Sequence, residues 1–256
     1  MSLNECGAPP QAPTVDLLGL RVSKVTRVET IEMLHRFIRS GEPHLVVTAD
    51  AVALEIAAGD PEFLDIANNA ALVTPDGTGL LWASRHLGQP LTERVSGVDL
   101  AEQLCATSGP KKFDVYFFGA APGVAEDAAN VMRSKYPGCR IVGVQHGYHR
   151  EPEAVAAVVA DIAEKRPDVL LVAMGMPRQE KWIVDHLPQL RIPLSMGVGG
   201  SFDVFSGRVT RAPLWMQQSG LEWLYRLYQD PTKYAKVACL PRFVLRVLSR
   251  QRISGA

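Results

Sequence analysis

The chain has 256 residues, 47% hydrophobic and 21% charged, which supplies a core for one large or two small domains and rules out extended disorder. Its formal net charge is zero, so it is not a protein that grips nucleic acid over its whole surface, because that attraction needs an excess of Lys and Arg. No stretch reaches the ~18 consecutive apolar residues of a membrane-spanning helix. From the amino end, "VDLLGLRVSK" predicts a strand pair and "VETIEMLHRFIRSG" a helix ending on Gly41. "HLVVTA" then reads as a strand, "AVALEIAAGDPEFLDIANN" as helical, "AALVTP" as a strand, and "GLLWASRHLG" and "VSGVDLAEQLCATSG" as helices. In the second half "FDVYFFGA", "CRIVGVQHG", "DVLLVAMG" and "PLSMGVGG" are short apolar strands between helical segments, the pattern of buried parallel strands. "EPEAVAAVVADIAEKRP" is amphipathic and closes on Lys165 and Arg166, charges favourable at a helix carboxyl end. The expectation is one α/β domain of strand-helix units with a basic tail. Beyond Asp230 there is no acidic residue, while Lys233, Lys236, Arg242, Arg246, Arg250 and Arg252 are all positive.

Cys6, Cys105, Cys139 and Cys239 lie far apart without a Cys-x-x-Cys, so the spacing suggests neither a zinc site nor a disulfide framework and fits a reducing cytoplasm. Residues Met1 to Val15 are polar and proline-bearing, lack the pattern of a secretory signal and read as a flexible start.

Ligands in open α/β sheets collect at the carboxyl ends of strands, so the loops there are where chemistry is expected. Five stand out: Thr48-Ala49-Asp50, Thr74 to Gly79 around Asp76, Gly119 to Gly123, Gly175 to Lys181, and Gly197 to Asp203. Each also has a structural reading. Pro-Asp-Gly is a favoured turn, Thr48 and Asp50 can be helix caps, and glycines after "FDVYFF" can serve tight packing as well as a phosphate. The loop Gly119 to Gly123 is Gly-x-x-x-Gly, without the Gly-x-Gly-x-x-Gly and later acidic residue of a dinucleotide site, which makes a nicotinamide oxidoreductase the weaker alternative. There is no Walker loop. His146 and His149 stand three apart outside any metal-binding pattern, and no Asp-x-Asp occurs, so a diphosphate would be met by Arg, Lys and helix amino ends.

Together these loops resemble the WecG/TagA/CpsF glycosyltransferases. The similarity is carried by "TPDGTGLLWASRHLGQPLTERVSGVDL", "FFGAAPGVAEDAA", "PDVLLVAMGMPRQEKWI", "GVGGSFDVFSGRVTRAPLWMQQSGLEWLYRL" and "DPTKYAK", in the family's order from about Asp16 to Val237. The resemblance implies a Rossmann-like parallel sheet with helices on both faces. It also implies an inverting, metal-independent enzyme without cofactor. Such an enzyme moves a hexose or N-acetylhexosamine-type sugar from a UDP-sugar to a polyprenyl-diphosphate-linked sugar, on the inner face of the cell membrane, for a surface polysaccharide of the teichoic acid, exopolysaccharide or common-antigen type. By the same resemblance Asp76 is the general base, Thr48 positions a substrate, and Arg94 stabilises the departing diphosphate. Gly119, Ala120, Gly175, Pro177, Gln179, Glu180, Gly199, Gly200 and Asp203 fall on donor-binding positions.

Two departures bear on this. The family usually has Thr-x-Asn where this chain has Thr-Ala-Asp, so Asp50 brings a second carboxylate that competes with Asp76 as base or raises its pKa. Family arginines that reach the lipid diphosphate correspond to Arg226, Lys233 and Lys236, and Lys lacks the guanidinium fork. The expected organisation is a flexible 1–15, an α/β domain over 16–220 and a basic helical membrane-binding appendage over 221–256. In the appendage "LPRFVLRVLSRQR" sets Arg242, Arg246 and Arg250 beside Phe243, Leu245, Val247 and Leu248. That helix either lies on an anionic membrane or packs on its own domain. A non-catalytic nucleotide-binding module and a homo-oligomer remain open alternatives.

Overall fold

Short apolar strands become the sheet because both of their faces are covered. The computed structural model of the protein describes residues 12–149, 151–229 and 238–254. An antiparallel hairpin, β1 (Thr14–Leu17) and β2 (Leu20–Ser23), comes first. It turns through Leu18 and Gly19, both at positive φ, and Gly19 N–H donates to Asp16 Oδ1 at 2.9 Å. The main sheet holds β3 (His44–Ala49), β4 (Leu72–Pro75), β5 (Val115–Gly119), β6 (Ile141–Gln145), β7 (Val169–Ala173) and β8 (Leu194–Gly197), in the order β4-β3-β8-β7-β5-β6, every pair parallel.

Alternate residues of each strand feed two separate cores. Val46, Leu72, Val115, Phe117, Leu171 and Met196 face one layer, formed by α1 (Arg27–Ser40), α5 (Gly97–Lys111), α6 (Val124–Lys135) and α9 (Ser201–Phe205). Val47, Val73, Tyr116, Phe118, Leu170 and Val172 face the other. That second layer is built by α2 (Ala51–Gly59), α3 (Pro61–Asn69), α4 (Thr78–His86), α7 (Pro152–Lys165), α8 (Arg178–Leu190) and, after α10 (Leu214–Gln218) and α11 (Glu222–Gln229), by α12 (Leu240–Ser254). The expected α/β architecture, a Rossmann-like parallel sheet with helices on both faces, is the one observed.

The stretch "AVALEIAAGDPEFLDIANN", expected to be helical, forms two helices. Asp60 ends α2, and its carboxylate then accepts Phe63 N–H at 3.0 Å as the N-cap of α3, with Pro61 in the first turn. An Asp cap followed by Pro is a strong start signal, but apolar residues on both sides masked it. In the basic tail, α12 buries Phe243 and Val247, one turn apart, in the second core, while Arg242 and Arg246 each lie 3.3 Å from a carboxylate oxygen of the nearly buried Glu55. Leu245 stays 69% exposed, so the apolar residues of this helix divide between the domain and its outer side.

Candidate active site

Parallel pairing of β3 with β4 puts Ala49 opposite Pro75, so Asp50 and Asp76 leave the sheet side by side, and Asp76 N–H closes the edge on Ala49 O at 2.7 Å. Their carboxylates have different tasks. Asp50 Oδ1 accepts Val52 and Ala53 N–H at 2.9 and 3.0 Å as the N-cap of α2. That answers why a carboxylate follows this strand: Thr-Ala-Asp starts a helix whose first N–H groups need an acceptor. Asp76 instead turns toward the amino end of α5, where Oδ2 accepts Gly97 N–H at 2.8 Å, a position where a helix favours negative charge. Its Oδ1 lies 3.5 Å from Arg94 Nη2.

Thr48, buried on β3, donates to Gly197 O at 3.1 Å and so ties β3 to the end of β8. A Cβ at Gly97 would sit 2.9 Å from Thr48 Cγ2, so glycine there lets α5 begin close enough for its N–H to reach Asp76. Arg94 Nη2 meets Glu222 Oε2 of α11 at 2.7 Å, closer than Asp76. Arg211 forks onto Asp99 of α5, and its own pKa is held up by that pair, with Glu222 and Asp76 adding to it. Arg94 and Arg211 therefore face Asp76, Glu222 and Asp99 at this end of the sheet.

The glycine loops line the rest of the same edge. Gly119 has φ +124°, and a Cβ there would run into the Ala173 carbonyl, so only glycine fits. Ala120 also has positive φ and donates its N–H to Ala173 O at 2.7 Å. At the start of α6, Glu126 and Asp127 occupy the first turn, Asp127 paired with Arg208 at 2.8 Å. Gln179 pins two loops at once: its Oε1 accepts the N–H of Gly175 at 3.0 Å and of Gly199 at 3.1 Å, and its Nε2 donates to Glu180 Oε1 at 2.7 Å. Glu180 is fully buried, and burial lifts its carboxyl from the ordinary 4.5 to about 7, a rise the nearby Asp50 reinforces. Pro177 follows a cis peptide bond and precedes α8. Gly200 caps the short α9, and the half-buried Asp203 lies in its first turn.

Asp76, Thr48, Arg94, Asp50 and the loops bearing Gly119, Ala120, Gly175, Pro177, Gln179, Glu180, Gly199, Gly200 and Asp203 thus share one edge of the sheet. Arg226 falls within α11, and Lys233 and Lys236 lie outside the described residues. Sequence reasoning missed Glu222, which sits in the quoted "GLEWLYRL", and the N–H of Gly97, which sits in "ERVSGVD". His146 and His149 stack with ring centroids 4.2 Å apart, and among the described residues no group of three or more His, Cys, Asp or Glu is arranged to hold a metal ion.

Fold and site define a Rossmann-like protein whose charged side chains and glycine-bearing loops gather at the carboxyl edge of the sheet, the edge where open α/β sheets bind ligands. The sequence profile of the glycosyl transferase WecG/TagA/CpsF family matches residues 15–255. An N-acetylglucosaminyldiphosphoundecaprenol N-acetyl-beta-D-mannosaminyltransferase of Bacillus subtilis (strain 168) is 35% identical over 196 residues, 77% of this chain and 75% of the relative. A protein of the same name from Staphylococcus aureus (strain MW2) is 31% identical over 241 residues, 93% of each chain. The chain belongs to the WecG/TagA/CpsF family of glycosyltransferases.

Proposed function

We propose that the protein transfers a sugar from a UDP-sugar to a polyprenyl-diphosphate-linked sugar with inversion, in the synthesis of a cell-surface polysaccharide, and that Asp76 is the general base. The observation that carries the reading is the Asp76 carboxylate, oriented by Gly97 N–H at 2.8 Å beside Arg94 at 3.5 Å, at a strand end flanked by glycine-bearing loops. In this reaction an acceptor hydroxyl oxygen attacks the anomeric carbon while its proton passes to Asp76, and the bond to the diphosphate breaks. Arg94 meets the negative charge growing on the leaving diphosphate without a divalent cation, which requires the diphosphate to share or displace Glu222 from the guanidinium. The glycines at Gly119, Gly175 and Gly199 let the backbone approach the nucleotide closely, and Thr48 positions the reacting sugars.

N-acetylmannosamine as the transferred sugar and N-acetylglucosaminyl-diphosphoundecaprenol as the acceptor are the substrates that the names of the two relatives support. Such an acceptor is embedded in lipid. Among the described residues no helix is long and apolar enough to cross a membrane. Attachment to the inner membrane surface is supported by exposed Leu214 and Trp215 on α10, Tyr228 on α11 and Leu245 on α12, with the basic charges that follow Asp230. The test is UDP release by purified protein given a panel of UDP-sugars with and without the lipid-linked acceptor. Acceptor-dependent release from UDP-N-acetylmannosamine is expected. A chain that neither binds UDP nor consumes any donor contradicts the reading.

A further inference from the structure

Toward its carboxyl end α5 presents Cys105, Ser108 and Gly109, spaced i, i+3 and i+4 and therefore neighbours on one face. The turn between α6 and β6 is pressed onto that face. A Cβ at Gly109 would collide with the Gly138 carbonyl, so glycine lets the turn touch the helix backbone, and Gly138 itself has φ +86°. The next residue is Cys139. Its Sγ lies 3.6 Å from Ser108 Oγ, and that oxygen also accepts Arg140 N–H at 2.9 Å, fixing the turn in place.

Cys139 packs against the core group that contains Cys105, and its Sγ rests on the α5 face that Cys105 shares with Ser108. The two cysteines are far apart in sequence but come to one contact region in the fold. They also differ in kind. Cys105 is completely buried and its thiol is pushed up by that contact and by burial, with Glu102 of α5 adding to it. Cys139 is half-exposed, and the Cys105 thiol, the Ser108 hydroxyl and the positive charge of Arg133 on α6 together bring it down to about 6, against the opposing effect of burial. A depressed, reachable thiol beside a buried one is the arrangement of an attacking and a resolving cysteine.

We propose that Cys139 and Cys105 form a peroxide-reactive dithiol, a modification site in which Cys139 attacks and Cys105 resolves. The Cys139 thiolate attacks one oxygen of a hydroperoxide, the O–O bond breaks, and the sulfur is oxidised to sulfenic acid as hydroxide or alkoxide leaves. The Cys105 sulfur then attacks the sulfenic sulfur, its proton joins the departing hydroxyl as water, and the disulfide forms. Two thiols are oxidised and one peroxide is reduced. Closing an S–S bond of about 2.0 Å falls on the surface turn that carries Cys139, since Pro137 and Gly138 are exposed.

The experiment treats the purified full chain with hydrogen peroxide and maps its cysteines by tandem mass spectrometry, alongside iodoacetamide labelling across pH. The expected result is a Cys105–Cys139 cross-link in the wild type and a dimedone adduct on Cys139 in Cys105→Ser. Cys139 alkylation should reach half its plateau near pH 6, whereas Cys239, whose thiol burial raises, should follow at higher pH. The proposal is overturned if peroxide leaves both as thiols, if Cys139 is carried to sulfinic acid without a cross-link in the wild type, or if the link joins another pair. The wild-type map needs no variant, so a Cys105→Ser chain that fails to fold does not remove the test.

Discussion

Replacing Glu180 by Gln makes the protein's stability less dependent on pH, by an amount set by the burial of one carboxyl. Glu180 is fully buried, its Oε1 takes the Gln179 amide at 2.7 Å, and its Oε2 has no hydrogen-bond partner. In the folded protein the carboxyl holds its proton up to about 7, while the unfolded chain releases it near the ordinary 4.5. Between those values the folded state binds more protons, so stability falls as pH rises, starting at the unfolded value and finishing above the folded one. The span corresponds to about 3 kcal/mol. Gln at this position accepts the same Gln179 hydrogen bond and does not titrate. Urea unfolding of both proteins should therefore give similar stabilities at about pH 4.5 and a variant more stable by about 3 kcal/mol at about pH 8.5. In thermal unfolding the difference at the higher pH is about 6–12 °C for a chain of this length. Taking the difference removes the titration of every other group. Parallel pH curves for wild type and Glu180→Gln would refute the reasoning.

Asp50→Ala, by removing the acceptor for Val52 and Ala53 N–H, should cost about 1 kcal/mol of stability in urea unfolding, whereas Asp50→Asn keeps a cap and changes it by a few tenths. Gly119→Ala places a side chain at φ +124° against the Ala173 carbonyl and should destabilise by about 2 kcal/mol or more, measured the same way. Arg94→Ala leaves Asp76 and Glu222 without that guanidinium and should lower kcat by about 10²–10³-fold, with Arg94→Lys recovering only part because one ammonium cannot reproduce the fork.

The alternation of apolar strands with amphipathic helices made the parallel sheet readable from the residues, and the turn-forming residues after each strand marked the edge where the site lies. Asp76 and Arg94 were legible because both sit in motif blocks. Other features depend on distances that sequence does not encode. Asp50 was legible as a second carboxylate beside Asp76, but the residues alone did not settle that its Oδ1 caps α2, a role that depends on where the helix begins. Gln179 and Glu180 were placed on a donor loop, yet the two N–H groups that Gln179 gathers come from loops after different strands. Glu222 lies 128 residues beyond Arg94, and nothing local to either announces their pairing. Cys105 and Cys139 read as isolated for the same reason.

The most direct test of the central claim compares wild type, Asp76→Asn and Asp50→Asn in acceptor-dependent UDP release, with UDP binding measured on each protein. The account predicts that Asp76→Asn loses about 10²–10⁴-fold in kcat while still binding UDP, and that Asp50→Asn stays close to wild type. Turnover that survives Asp76→Asn, or is abolished by Asp50→Asn, would contradict it.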